Sequence, residues 1–235
     1  MGHEQQEPSA GRPPSRIVVV DDDPLYRFAL SEILKQPRDL EVVGEAADGH
    51  QAIELCRRLG PDLVMMDVKM PGMSGIEATR KLKEHSPSTV VLVLTALEDP
   101  DHLSEALKAG AAGYLLKGAS ASQIVEATRK VLLGESPLNQ EVATRLLMRL
   151  VEENAKGAPK KETLPAALSP REVEVLRMMA SARTNQQISR ELFVSVSTVK
   201  KHVHSVLTKL GVSDRTQAVV KAVELGMGPN KQRKG

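Results

Sequence analysis

Five short apolar runs recur along the first 133 residues, and each is followed by a segment with helical periodicity. The runs lie near residues 16–20, 40–44, 62–66, 89–94 and 112–116. Helical patterns fill 24–35, 48–59, 74–84, 98–109 and 119–133, with Gly60-Pro61, Ser86-Pro87 and Gly110 at the helix-to-strand turns. Strands that alternate with helices need crossover connections, so the sheet they build is parallel. The spacing predicts an α/β fold, a (βα)5 doubly wound, flavodoxin-like sheet in the order 2-1-3-4-5.

The residues that end these runs are polar. Asp67 closes Leu63-Val64-Met65-Met66, and Asp21, Asp22 and Asp23 follow Ile17-Val18-Val19-Val20. Thr95 ends the fourth run and Lys117 the fifth. In a parallel sheet all of these ends lie on one edge, where open α/β folds bind ligands. Carboxylates that converge without a cation are unstable as ions. An oxygen-only set favours Mg²⁺, which keeps waters and pairs with phosphate. Asp22 or Asp23 could instead cap the helix that follows, but capping does not account for a hydroxyl and a lysine at the other strand ends.

The remainder of the chain has a different character. The net charge of +2 conceals an asymmetry: residues 1–133 hold 15 Lys+Arg against 20 Asp+Glu, and residues 169–235 hold 12 against 5. A small basic region points to nucleic acid, through phosphate neutralisation. The polar segment 1–15 reads as a disordered tail without the apolar stretch of a secretory signal. No run of 18 apolar residues offers a membrane span. The one cysteine, Cys56, lies on an apolar helical face; no disulfide can form within the chain, which fits the cytoplasm. Residues 134–168 read as a linker with a helix, its apolar stripe being Val142, Leu146, Leu147 and Leu150. Residues 169–228 read as four short helices. Thr184-Asn185 and Ser195 open two of them, and a short helix, a tight turn and a longer basic helix make a helix-turn-helix. Residues 229–235 form a basic tail.

Taken together, Asp21-Asp22-Asp23-Pro24, the stretch Pro61 to Gly75 around Asp67, Leu94-Thr95-Ala96 and Gly113-Tyr114-Leu115-Leu116-Lys117 resemble the receiver domain of two-component response regulators over about residues 16–133. The stretch Leu168 to Val212 resembles the LuxR-type helix-turn-helix. The order of the two halves is that of a NarL/FixJ-type response regulator. The resemblance implies that a sensor histidine kinase phosphorylates Asp67. It also implies that Asp21, Asp22, Asp67 and the Lys69 carbonyl hold Mg²⁺, that Lys117 and Thr95 bind the phosphoryl group, and that Tyr114 reports on it. A transcription regulator rather than an enzyme is expected. Two positions depart from the family. Asp23 stands where His is frequent and adds a third acid near the metal. Gly118 stands where an acid is frequent, which loosens its loop.

In the basic half, Lys200, Lys201 and His204 are candidates for base edges, with Lys a partner for guanine. Thr198, His202 and Lys209 are candidates for phosphates on double-stranded DNA. Ala182, where Gly commonly ends the first helix, predicts a less sharp turn. The last helix carries Ala218, Val219, Ala222 and Val223, for its own core or for a homodimer formed on phosphorylation that reads inverted repeats. Two other readings compete. Asp21-x-Asp23 weakly resembles haloacid-dehalogenase phosphatases, with Leu25 against that pattern. A receiver that only dimerises, without phosphorylation, is the other.

Overall fold

The computed structural model describes residues 13–96, 100–135 and 168–227. The expected helix and linker between 136 and 167, and the basic tail, lie outside the described residues. Five parallel strands, β1 (Ser15–Val20), β2 (Leu40–Ala46), β3 (Leu63–Asp67), β4 (Val90–Thr95) and β5 (Gly113–Leu116), form one sheet in the order β2-β1-β3-β4-β5. This is the expected order. β1 starts at Ser15, the last residue assigned to the tail.

The strands bury both faces. Val18, Val20, Val64, Met66, Val91 and Val93 meet α2 (Gly49–Leu59), α3 (Gly75–His85) and α4 (Pro100–Ala109) on one side. Ile17, Val19, Leu63, Met65, Leu92 and Leu94 meet α1 (Pro24–Lys35) and α5 (Ala121–Leu132) on the other. Successive residues of a strand point to opposite faces, so one unbroken apolar run feeds two cores.

Side-chain caps set the helix starts. Asp48 accepts from the Gln51 amide, Ser74 from Glu77 and Ser120 from Gln123, each occupying an amide that lacks a helical partner. α3 begins so close to β3 that a Cβ at Gly75 would collide with the Asp67 carbonyl. Glycine there lets the helix start against the site.

The C-terminal region is helical: α6 (Pro170–Ala180), α7 (Asn185–Glu191), α8 (Val196–Leu210) and α9 (Arg215–Glu224). Ser169 and Thr184 open capping boxes with Glu172 and Gln187. Val175, Leu176, Met179, Ile188, Val199, Val203, Val206, Ala218 and Ala222 share one core. The turn after α6 differs from expectation: Ala182 takes the left-handed conformation, φ 55°, so the turn closes as sharply as with glycine. Tertiary packing imposes a geometry that the side chain disfavours.

The helical core does not end at its own boundary. It includes Leu107 of α4, with Leu103 and Tyr114 packed against it. Thr216 Oγ1 donates to the Ala112 carbonyl at 2.5 Å, and Gln217 Nε2 donates to the carbonyls of Leu107 (3.0 Å) and Ala111 (2.7 Å). Lys83 Nζ donates to Ser213 Oγ at 2.7 Å and to the Thr89 carbonyl at 2.5 Å. The start of α9 therefore closes over carbonyls at the end of α4 and the entry to β5.

Candidate functional site

The carboxyl ends of β1, β3, β4 and β5 bring the strand-end residues together. Asp67 is 3% exposed and Asp21 fully buried. Oxygens from Asp21, Asp22 and Asp67 lie within 4.8 Å of one another, and Asp22 is exposed. Lys117 Nζ sits between two of them, 2.8 Å from Asp21 Oδ2 and 2.9 Å from Asp67 Oδ2. Three acids against one lysine leave an excess negative charge. Among the described residues, the one polar contact of the fully buried Asp21 Oδ2 is the Lys117 ammonium, at 2.8 Å. A buried carboxylate facing a second and open to an exposed third, with a single lysine among them, suits a divalent cation with oxygen ligands.

The electrostatics agree. Burial pushes the Asp67 carboxyl above its usual range, against the pull of Lys117, and the Asp21 charge adds to the rise. Burial opposes the charge on Lys117, but the hydrogen bonds and charges of Asp21 and Asp67 hold its ammonium above the usual lysine range. The Lys69 backbone, in the loop after β3, favours the charged form of the Asp67 carboxyl. Thr95 ends β4 half-buried, and its carbonyl accepts from the Lys117 amide at 2.9 Å. Tyr114 on β5 packs against the sheet core and also against the C-terminal helical core.

Asp23 behaves differently from the expected third acid. Its Oδ1 accepts from the amides of Leu25 (2.8 Å) and Tyr26 (3.3 Å), so it caps α1 and stands outside the acid cluster. Its own amide donates to Asp21 Oδ1 at 3.0 Å, which orients the buried acid. A neighbour missed from sequence is Tyr26. Its hydroxyl donates to the Lys117 carbonyl at 3.0 Å, and its ring centroid lies 4.9 Å from Lys117 Nζ.

The model of the response regulator receiver domain matches residues 17–129, and that of bacterial regulatory proteins of the luxR family matches residues 166–222. The transcriptional regulatory protein LiaR of Bacillus subtilis is 39% identical over 207 residues, 88% of this chain and 96% of LiaR. The transcriptional regulatory protein DegU of Brevibacillus brevis is 38% identical over 221 residues, 90% of this chain and 94% of DegU. The chain belongs to the two-component response regulators. Among solved structures, the RcsB response regulator of Salmonella typhimurium matches with a TM-score of 0.53 at 28% identity, over 87% of this chain and 97% of that one. A structure of the RcsB–DNA complex matches with a TM-score of 0.51 at 27% identity, over 89% and 99%.

The regulator is thus a receiver joined to a LuxR-type DNA-binding domain, which implies a histidine kinase and DNA as partners and leaves the phosphatase reading without support. Among the described residues no helix is long and apolar enough to cross a membrane.

In the DNA-binding domain, α8 is the longer helix of the helix-turn-helix, capped by Ser195. Lys201 and His204 are exposed, and Thr198 and His202 half-exposed. Lys200 pairs with Glu135, in the linker three residues beyond the end of α5, at 2.9 Å. Lys209 is engaged within the domain: its Nζ lies 2.7 Å and 2.9 Å from the two Glu172 oxygens, and Ser205 donates to the same carboxylate. Glu172 is drawn down to about 2 by Lys209 and Ser205. The expected phosphate contact of Lys209 therefore competes with a formed ion pair. Ala218, Val219, Ala222 and Val223 all lie in the core, not on a free face.

Proposed function

We propose that Asp67 is the phospho-acceptor and that its modification releases the DNA-binding domain from the receiver. The observation that carries this is the Asp67 carboxylate held at 2.9 Å by Lys117 beside Asp21 and Asp22, at the end of a buried strand. An Asp67 oxygen forms a bond to phosphorus, and the bond from phosphorus to the kinase's histidine nitrogen breaks, its electron pair staying on the imidazole. Mg²⁺, held by Asp21, Asp22, Asp67 and the Lys69 carbonyl, would neutralise charge on the transferring group. Lys117 pairs with one phosphoryl oxygen and the Thr95 hydroxyl with another.

Tyr114 carries the signal onward. It lies between two packed cores, so a rotamer that follows Thr95 changes the surface under Leu107 and α9. That gives the phosphoryl group a differential contact with the closed and open states, as any switch requires. Opening frees Lys200 from Glu135. Lys200, Lys201 and His204 then face base edges and Thr198 and His202 face phosphates. Lys209 holds α8 to α6 through Glu172. A phosphorylated homodimer would set two such helices on inverted half-sites. The regulator acts in the cytoplasm, where kinase and promoter DNA are both within reach.

The test is phosphoryl uptake. Wild type incubated with acetyl phosphate and Mg²⁺ gains one phosphoryl group by intact mass, and Asp67→Asn gains none. An equal gain by the variant overturns the assignment.

A further inference from the structure

We infer that Tyr26 is a positioning residue for Lys117, tuning phosphoryl transfer without touching Asp67. The inference rests on the reading of Asp67 given above. Tyr26 stands in the first turn of α1, where the Asp23 carboxylate accepts its amide. The Asp23 amide in turn donates to Asp21 Oδ1. The start of α1 is therefore tied to the acid cluster at one end, and the tyrosine side chain reaches to the end of β5.

One side chain engages both ends of the lysine. The hydroxyl donates to the Lys117 carbonyl at 3.0 Å, and the ring lies 4.9 Å from Nζ, within the range of a cation–π contact. The carboxylates of Asp21 and Asp67 hold the ammonium at 2.8 and 2.9 Å. Burial raises the Tyr26 hydroxyl above its usual pKa, so it stays a protonated donor at neutral pH.

The tether matters because this loop has few other restraints. Gly118 follows Lys117 and has no side chain, and a Cβ there would meet nothing within 4 Å. The Lys117 amide donates to Thr95 and the Ala119 amide to Leu116, each at 2.9 Å, which leaves the intervening Lys117 carbonyl to Tyr26. When Asp67 gains a phosphoryl group, Nζ must follow the new oxygens. A fixed carbonyl lets the side chain swing from a stationary backbone, and a pre-placed donor avoids reorganisation during transfer. The loosening expected of Gly118 is thus offset by a hydroxyl from another helix.

The experiment uses the full chain as wild type, Tyr26→Phe, Tyr26→Leu, Lys117→Ala and the double variant Tyr26→Phe/Lys117→Ala. Phosphoryl gain is followed by intact mass over a range of acetyl phosphate concentrations with Mg²⁺, beside beryllofluoride affinity and thermal midpoint. Tyr26→Phe keeps the ring and loses the tether. It is expected to lower the maximal rate by about two- to tenfold, the worth of one hydrogen bond, with the half-saturating acetyl phosphate unchanged and the thermal midpoint lowered only slightly. Tyr26→Leu loses the ring as well and falls further. In the Lys117→Ala background the same Tyr26→Phe change is expected to do nothing more, because a residue acting through Lys117 has nothing left to act on. Wild-type rate and beryllofluoride affinity in Tyr26→Phe, or the same fold-loss with and without Lys117, overturns the inference and leaves the Asp67 reading intact. Equal phosphoryl gain by Asp67→Asn overturns both.

Discussion

The receiver closes on itself, and the DNA-binding domain does not. In the receiver, two apolar cores flank one sheet, and the charges at the strand ends are gathered in one place, with Lys117 against Asp21 and Asp67 and an acid left in excess. In the DNA-binding domain, the single core runs out into Leu107 of α4, and the charges of α8 point to solvent or to distant acids. The difference is one of reaction versus recognition. A group-transfer site works by preorganisation, so its parts are fixed before the partner arrives. A DNA-binding surface works by neutralising phosphates, so its charges await a partner. A domain that borrows part of its core from a neighbour can be held and released by that neighbour.

Breaking the borrowed contact gives the largest expected effect. Leu107→Ala removes a buried side chain shared by the two domains, at a cost of about 2–5 kcal/mol if they stay docked. Undocking avoids that cost, so the unphosphorylated variant is expected to bind DNA at least about tenfold more tightly, since 1.4 kcal/mol of that range is already a factor of ten. Fluorescence anisotropy on a selected promoter fragment measures it. Affinity equal to wild type would make the core contact incidental.

The charge contrast can be sharpened on α8. Lys201→Ala should lose about 1–3 kcal/mol of specific binding if it meets a base, or an equal loss on all sequences with a flatter salt slope if it meets a phosphate. Lys200→Ala should lose less in net terms, because it also breaks the Glu135 pair that ties α8 to the segment after α5. Titrations on a selected site and on random duplex, at two salt concentrations, separate these outcomes.

A smaller effect follows from acid. Glu172 is held near 2 in the folded state by Lys209 and Ser205, well below its ordinary 4.5. A carboxyl lowered by folding stabilises the fold fully above 4.5, and that stabilisation is lost as pH falls through about 2. Glu172→Gln should therefore unfold more readily at neutral pH and show a flatter acid dependence between those values. Chemical denaturation across that pH window measures it, and parallel curves for the two proteins would contradict the pairing. The smallest change expected is at Ala182, where φ is 55°. Ala182→Gly should stabilise the DNA-binding domain by about 1 kcal/mol, the relief of a left-handed alanine, read as a shift in the denaturation midpoint.

The sheet order and the strand-end site were legible in the sequence because both follow from one period. Apolar runs of strand length put Asp21, Asp67, Thr95 and Lys117 at equivalent ends. Contacts without a periodic signature were not legible. Lys209 reads as a DNA contact until Glu172, 37 residues away, takes it. Lys83, in the last turn of α3, is half-buried between Thr89 and Ser213, and desolvation lowers its pKa, a contact that no periodicity in the sequence announces. Asp214 caps α9 locally and is also buried at the domain boundary. Tyr26 carries no helical signal that distinguishes it from a half-buried packing residue. Asp23 was legible through the capping rule, which offered it as a cap for the following helix, and its carboxylate takes the Leu25 and Tyr26 amides.

The coupling between Asp67 and the docked domain is tested most directly by a distance across the boundary. Spin labels at Glu41→Cys on exposed β2 and Glu224→Cys at the exposed end of α9 report the separation in the full chain, with Cys56 buried. Double electron–electron resonance is recorded with Mg²⁺, before and after beryllofluoride, with Asp67→Asn as control. Full opening from 1:99 to 99:1 needs about 5.5 kcal/mol of differential binding, so a partial shift is expected. The expected result is a single short distance that gains a longer, broader population on beryllofluoride and does not change in Asp67→Asn. An unchanged distribution with Asp67 occupied would contradict the release of the DNA-binding domain.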